Sequence, residues 1–280
     1  MNAIEIKNLK KTFADFGIEG FDLTLPTGCV MGLVGENGAG KTTTIRLILD
    51  MLKKEDGKIT VLGMDNVEDN IRIKDEVGIV MDDIGITHSF DVKQVGKVMK
   101  HTFTSWDSER YEELVRKFSL PEKKPFKDFS RGMKSKLGIA IALSHDPKLL
   151  ILDEPTNGLD PVARDDVMEI LADFTRDESH SILISSHIVS DLEKICDYIA
   201  FIHQGKLLVC EEKDRLLEDY CIIHCSAEEI SAIAPRAIRH RKETPYGIEA
   251  IVLRDAVSEG IKTSPISIEE LFISVIKEEK

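Results

Sequence analysis

The sequence predicts an α/β protein with a mostly parallel sheet, a helical insertion and a small C-terminal α+β extension. Three observations carry this. Residues 4–83 and 145–210 read as alternating strand and helix patterns. Two uninterrupted apolar runs, CVMGLV (29–34) and LLIL (149–152), have the length of strands buried on both faces. Each runs straight into a polar segment: GENGAGKTT follows the first and DEPTNGLD the second. Open parallel sheets place ligands beyond the C-terminal ends of their strands, so the fold and the site are predicted together.

After the first run, Gly35, Gly40, Lys41 and Thr42 satisfy G-x-x-x-x-G-K-[ST]. Ile45, Ile48, Leu49 and Leu52 then recur at helical spacing. The order strand, glycine loop, helix is the context that gives this motif its meaning. Across Gly35, Glu36, Asn37, Gly38, Ala39 and Gly40 the backbone turns its N–H groups inward around phosphate oxygens. Lys41 supplies positive charge to the β- and γ-phosphates. The Thr42 hydroxyl is placed to ligate Mg²⁺, and Thr43 continues the helix start.

Residues 84–144 are richer in helical patterns and are expected to form a helical subdomain between the halves 1–83 and 145–212. YEELVRKF is amphipathic, with Leu114, Val115 and Phe118 on one side. A second helix start lies in DFSRGMKSKL (128–137), where Ser130 is a good N-cap and Met133, Leu137 and Ile141 repeat at near-helical spacing. Such a start also attracts anions. The run 149–152 is a central strand candidate ending at Asp153, which is placed to hold Mg²⁺. Glu154 is placed to orient or deprotonate an attacking water. SILISSH closes a further strand pattern on His187. Beyond residue 213, IIHC and GIEAIVL read as short strands. SPISIEELFISVIK reads as a helix with Ser267 as N-cap and Glu270 completing a capping box.

Composition narrows the classes. The chain has 280 residues, 42% hydrophobic and 31% charged, as a core-forming protein requires. Its formal net charge of -13 repels a nucleic-acid backbone, and Arg131, Lys134 and Lys136 are too few for a duplex footprint. No apolar run approaches the roughly 20 residues of a membrane helix. The start, MNAIEIKNLKK, lacks the apolar centre of a signal peptide, so a soluble, cytoplasmic chain is expected. Its five cysteines, Cys29, Cys196, Cys210, Cys221 and Cys225, are odd in number and irregular in spacing, which argues against a disulfide framework. Cys221, His224 and Cys225 lie close together, but no second ligand pair follows at zinc-site spacing, so YCIIHC is read as a strand.

The ordered set GENGAGKTT, FSRGM, LLILDEPTNGLD and ILISSH resembles the nucleotide-binding subunit of ABC transporters over about residues 1–215. The family's signature loop, ideally LSGGQ, aligns with Phe129, Ser130, Arg131, Gly132 and Met133; Ser130 and Gly132 are retained. The resemblance implies a P-loop NTPase (RecA-like) core. It places an ABC ATPase domain at 1–212 and an accessory extension at 213–280. ATP and Mg²⁺ become the expected cofactors, and ATP hydrolysis coupled to transmembrane transport the expected reaction.

It also implies a head-to-tail pair, either a homodimer or a dimer with a homologous ATPase subunit. In such a pair Ser130, Arg131, Gly132 and Met133 of one chain cover the γ-phosphate held by the other, and Asn157, Gly158, Leu159 and Asp160 cross the interface. Phe13 stands where the family stacks an aromatic on adenine, with Phe16 as the second candidate. His187 resembles the family's switch histidine. Where the family has a glutamine after the P-loop helix and its following strand, this chain has Asp82, beside Asp83. A transmembrane permease partner is implied, which would hold the chain peripherally on the cytoplasmic face of the cell membrane. The helical subdomain, where Trp106 lies, would receive short helices of that partner. The extension resembles those of bacterial exporters for drugs, lantibiotics and other peptides. The competing reading is a soluble ABC ATPase acting on nucleic acid or ribosomes. An ordinary P-loop kinase would leave FSRGM and LDEPTNGLD without a role.

Overall fold

In the computed structural model, residues 1–81, 85–245 and 247–278 are described; Asp82 lies outside them. The chain opens with β1 (Asn2–Thr12), β2 (Gly17–Pro26), β3 (Val30–Val34) and α1 (Lys41–Ile48). β4 (Asp56–Val61), β5 (Met64–Asp65), α2 (Asn70–Glu76) and β6 (Val77–Val80) follow. Three helices come next: α3 (Val92–Thr102), α4 (Ser108–Lys117) and α5 (Arg131–Ala142). Then come β7 (Leu149–Asp153), α6 (Pro161–Phe174), β8 (Ser181–Ser186), α7 (Val189–Ile195), β9 (Tyr198–His203) and β10 (Lys206–Glu212). The last part holds α8 (Lys213–Asp219), β11 (Tyr220–Cys225), α9 (Ala227–Ala232), β12 (Ile238–Thr244), β13 (Gly247–Leu253), β14 (Lys262–Ser264) and α10 (Ile268–Glu278).

The central sheet has the order β10-β9-β3-β8-β7-β6. Its strands from β9 to β6 are parallel, and β10 runs antiparallel to β9. β3, β7 and β8 are buried at every residue, the physical reason their sequences lack polar alternation. Successive side chains serve opposite faces. Met31, Leu33, Leu149 and Ile151 pack with α1 and an antiparallel sheet ordered β2-β1-β4-β5. Val30, Val34, Leu150 and Leu152 pack with α5, α6, α7 and α10. The register sets Val34 beside Ser186 and Asp153 beside Ser185. Three neighbouring strands therefore end flush, and the loops after them converge.

α1 stops a turn earlier than the apolar spacing predicts. Leu49 is its C-cap, Asp50 turns left-handed (φ 51°), and Leu52 packs from outside the helix. α5 starts at the predicted place, with Ser130 as N-cap. A third sheet, ordered β12-β13-β11-β14, carries its own apolar cluster with α9. Strand alternation in β11 turns Cys221 and Cys225 into that cluster and leaves His224 exposed on the other face, so the three do not converge. α10 has the predicted capping box: Ser267 N donates to Glu270 Oε2 at 2.9 Å and Glu270 N to Ser267 Oγ at 3.2 Å. It packs back onto the central sheet, where Phe272 meets Phe201 edge-on at 5.2 Å.

Candidate nucleotide site

The loop after β3 ends at Gly40, whose φ of +114° suits glycine alone; a Cβ there would also sit 2.9 Å from Phe16 Cζ. Gly40 is the N-cap of α1 and brings no side chain to its first turn, so the backbone N–H groups there have no side-chain cap. Together with the helix dipole they favour an anion. Lys41 is only 6% exposed. Its ammonium donates to Gly35 O at 2.7 Å and to Glu36 O at 3.4 Å, and lies 3.3 Å from Glu154 Oε1. A buried ammonium demands such partners. The loop borders a cleft of about 400 Å³ that Asn37, Gly38, Thr42 and Thr43 also line.

Asp153 closes β7 and is held on both carboxylate oxygens. Thr42 Oγ1 donates to Oδ2 at 2.7 Å and Ser185 Oγ to Oδ1 at 2.6 Å. A hydroxyl beside a carboxylate is the oxygen set a hard divalent cation takes, its remaining positions going to water and phosphate. The residues present thus fit Mg²⁺. Glu154 leaves the strand direction through a left-handed backbone, φ +52°, which swings its carboxylate into the cleft. Its N–H donates to Ser185 Oγ at 3.0 Å. Its Oε2 accepts from His187 N at 3.3 Å and lies 2.6 Å from His187 Nδ1. An ionised carboxylate only accepts, so Nδ1 carries the hydrogen.

A family model described as "ABC transporter" matches residues 18–157, from β2 through the P-loop and Ser130 to Glu154 and Asn157. The chain belongs to the ABC transporter ATP-binding family. It is 36% identical over 214 residues to the lantibiotic transport ATP-binding protein SrtF of Streptococcus pyogenes, covering 75% of this chain and 91% of that one. It is 28% identical over 284 residues to the ABC transporter ATP-binding protein YtrB of Bacillus subtilis (strain 168), covering 97% of each. A solved structure of an ATP-binding subunit of an ABC transporter superposes with a TM-score of 0.69 at 25% identity, over 76% of this chain and 91% of that one. The chain is accordingly an ATP-binding, ATP-hydrolysing cassette with a P-loop NTPase core.

The ABC cassette's other family positions fall as follows. Phe16, the second aromatic candidate, lines the P-loop cleft; Phe13 does not. Phe13 is 40% exposed, its ring centroid 6.0 Å from that of Phe16. Gly40 is the reason, since its missing Cβ leaves room for Phe16 against the loop. Ser130 is exposed and its hydroxyl accepts from Met133 N at 3.2 Å. Gly132 lets α5 approach the loop after Glu154: a Cβ there would lie 2.9 Å from Leu159 Cδ2 and 3.1 Å from Gly158 O. That approach carries Arg131 into the wall of its own chain's cleft, beside Asp153, Glu154 and Asn157. Asp160 caps α6, accepting from Val162 N at 3.1 Å and Ala163 N at 3.0 Å. Those two bonds, Ala163's first, hold its carboxyl below the usual range. Ser185, the shared anchor of Asp153 and Glu154, belongs to no motif; its signal in the sequence is its place one residue before the end of β8, in the run ILISSH.

Proposed function

We propose that this cassette powers export of a peptide-type substrate through a separate membrane-spanning subunit. The observation that carries the reading is the convergence of Lys41, Thr42, Asp153, Glu154 and His187 at the flush ends of β3, β7 and β8. Lys41 and the first turn of α1 bind the phosphates, and Phe16 flanks the base. Thr42 and Asp153 hold Mg²⁺, which when bound offsets phosphate charge. Glu154 takes the proton of the attacking water, and His187 fixes its carboxylate through Nδ1. Two such subunits, identical or homologous, pair head to tail, so that Ser130 and Gly132 of one face the γ-phosphate of the other and the loop 157–160 crosses between them.

The proposal divides the chain into an ATPase domain, 1–212, with a helical subdomain at 84–144, and an accessory extension, 213–280. Among the described residues no helix is long and apolar enough to cross a membrane. The proposal assigns the membrane path to the partner and places the cassette on the cytoplasmic face. An apolar groove of about 370 Å³, lined by Met51, Met81, Met99, Phe103 and Ile141, suits a short helix of that partner. Trp106 lies outside it, packed on Tyr111 with ring centroids 5.1 Å apart. The similarity to a lantibiotic transport protein supports the peptide class. The test is purification of this chain from the membranes of the cells that express it, to find whether a multi-span membrane protein comes with it. Joint purification, and ATP hydrolysis that rises with a lantibiotic-type peptide, is the expected result. Purification with ribosomes or nucleic acid instead would favour the soluble ATPase reading.

A further inference from the structure

Asp191 is a buried acid to which nucleotide chemistry assigns no task. It is 4% exposed and lies in the first turn of α7, the helix that follows His187. Its Oδ2 accepts from Thr156 Oγ1 at 3.1 Å and stands 3.7 Å from Arg164 Nε. Thr156, 2% exposed, belongs to the turn that begins with Glu154. Arg164 belongs to the first turn of α6, and its buried Nε has no hydrogen-bond partner among the described residues, so the carboxylate is its nearby counter-charge. One carboxylate thus joins three segments: the Glu154 turn, α6 and α7.

The placement of these partners says what the junction does. Glu154 is left-handed at φ +52°, a conformation that persists in a non-glycine residue where its surroundings over-determine it. On one side Ser185 holds the Glu154 N–H. Within the turn Asn157 N donates to Glu154 O at 3.1 Å and Leu159 N to Thr156 O at 3.2 Å. On the other side the side-chain tie runs from Thr156 to Asp191. His187 is also tied to α7's neighbourhood: Ile188 N donates to Ser186 Oγ at 2.9 Å, which shapes the turn into the helix. The carboxylate of Asp191 therefore spans the two loops whose side chains meet at 2.6 Å, Glu154 and His187. Buried and unpaired it would be costly, and so it resists leaving this geometry.

We infer that Asp191 is a positioning residue for ATP hydrolysis, acting through Thr156 and Arg164 to fix the Glu154 turn against the helix after His187. The inference rests on reading Glu154 and His187 as the hydrolytic pair. A plain packing role would lower stability and leave the rate of the folded protein alone; a positioning role lowers the rate of the folded protein. The experiment measures Mg·ATP hydrolysis by the full-length chain for Asp191→Asn, Thr156→Val, Thr156→Ser, His187→Ala and the double variant Asp191→Asn/His187→Ala, with thermal melting of each.

Asp191→Asn and Thr156→Val are expected to lower kcat about ten- to a hundredfold, with KM for Mg·ATP changed less than about threefold, the scale of a small misplacement. Thr156→Ser, which keeps the hydroxyl, recovers most of what Thr156→Val loses. On the His187→Ala background, Asp191→Asn costs less than about twofold more, because the contact it sets is already gone. Should Asp191→Asn fold poorly, the Val and Ser variants at Thr156 decide alone. A parental kcat in Asp191→Asn and Thr156→Val, or an undiminished loss on the His187→Ala background, overturns the role of Asp191 while leaving the pair in place. A parental rate in His187→Ala overturns the pair itself.

Discussion

α1 and α5 both begin where a loop hands its backbone to a helix, and they treat the orphan N–H groups of that start differently. Gly40 gives α1 no side-chain cap, and Lys41 stands at the same opening. Ser130 caps α5, its hydroxyl already accepting from Met133 N at 3.2 Å. The first start keeps its donors for an anion. In the second the cap already takes one of them, the Met133 N–H, yet the Ser130 hydroxyl still has its own hydrogen to donate. The contrast teaches that α1 leaves its opening to an anion, whereas α5 is a capped helix end. In the proposed head-to-tail dimer, a second subunit would carry a phosphate to it.

The largest expected effect tests whether the acid belongs to the cradle. Glu154→Gln keeps the shape of the side chain but loses the base and one of the two acceptor oxygens that face Lys41 and His187. Hydrolysis should fall about 10²- to 10⁴-fold while calorimetry still shows Mg·ATP binding. Loss of binding along with the rate would make Glu154 part of the phosphate site instead.

The second test compares the helix starts directly. Lys41→Ala removes a charge-assisted contact and should weaken Mg·ATP binding to the isolated subunit about ten- to a hundredfold. Ser130→Ala should leave that affinity within about twofold, although it removes a cap worth about 1 kcal/mol of stability. Equal losses in both variants would mean that α5 already serves phosphate within its own chain, where Arg131 lines the cleft.

A smaller effect is expected at the base side of the cradle. Phe16→Ala should weaken ATP binding about two- to tenfold, the worth of one aromatic stack. Phe13→Ala should change it less than Phe16→Ala does, because Phe13 does not line the cleft. The reverse order would restore Phe13 to the adenine.

The smallest concerns the far end of α5. His145 is 1% exposed and stacks on Phe103 at 4.0 Å, and burial holds its pKa below the ordinary value of 6.5. Below about pH 6.5 the unfolded chain takes up a proton there that the folded chain does not. The stability that neutral His145 contributes is present above that pH and lost as pH falls. Between about pH 7.5 and 5.5 the melting temperature of His145→Phe should drop less than that of the parent. An equal drop would leave His145 out of the acid response.

Much of this was legible from residue pattern, and the exceptions have physical causes. β3, β7 and β8 announce themselves because burial on both faces forbids polar alternation. Ser130 and Ser267 could be read as caps because capping is local, a matter of three residues. The choice between Phe13 and Phe16 could not be read, since it depends on the space beside Gly40. Ser185 and Asp191 were silent for the same reason: Ser185 reaches Asp153 across the β7–β8 register, and Asp191 reaches Thr156 between a helix and a distant loop. Arg131 was expected to face a partner, and only the packing of Gly132 on Leu159 reveals that it also lines its own cleft.

The central claim is that the two helix starts, one a cradle and one a cap, complete each other across a dimer. The measurement that tests it most directly is ATP hydrolysis by mixed pairs carrying Lys41→Ala and Ser130→Arg. With the lesions split between the two subunits, both fall on one composite site and the other stays intact, so hydrolysis should persist. With both lesions in one subunit and none in the other, each composite site carries one lesion, and hydrolysis should be lost. Equal rates in the two arrangements would contradict the account, and the reverse order, loss with the lesions split and persistence with both in one subunit, would show that α1 and α5 of the same chain serve the same phosphate.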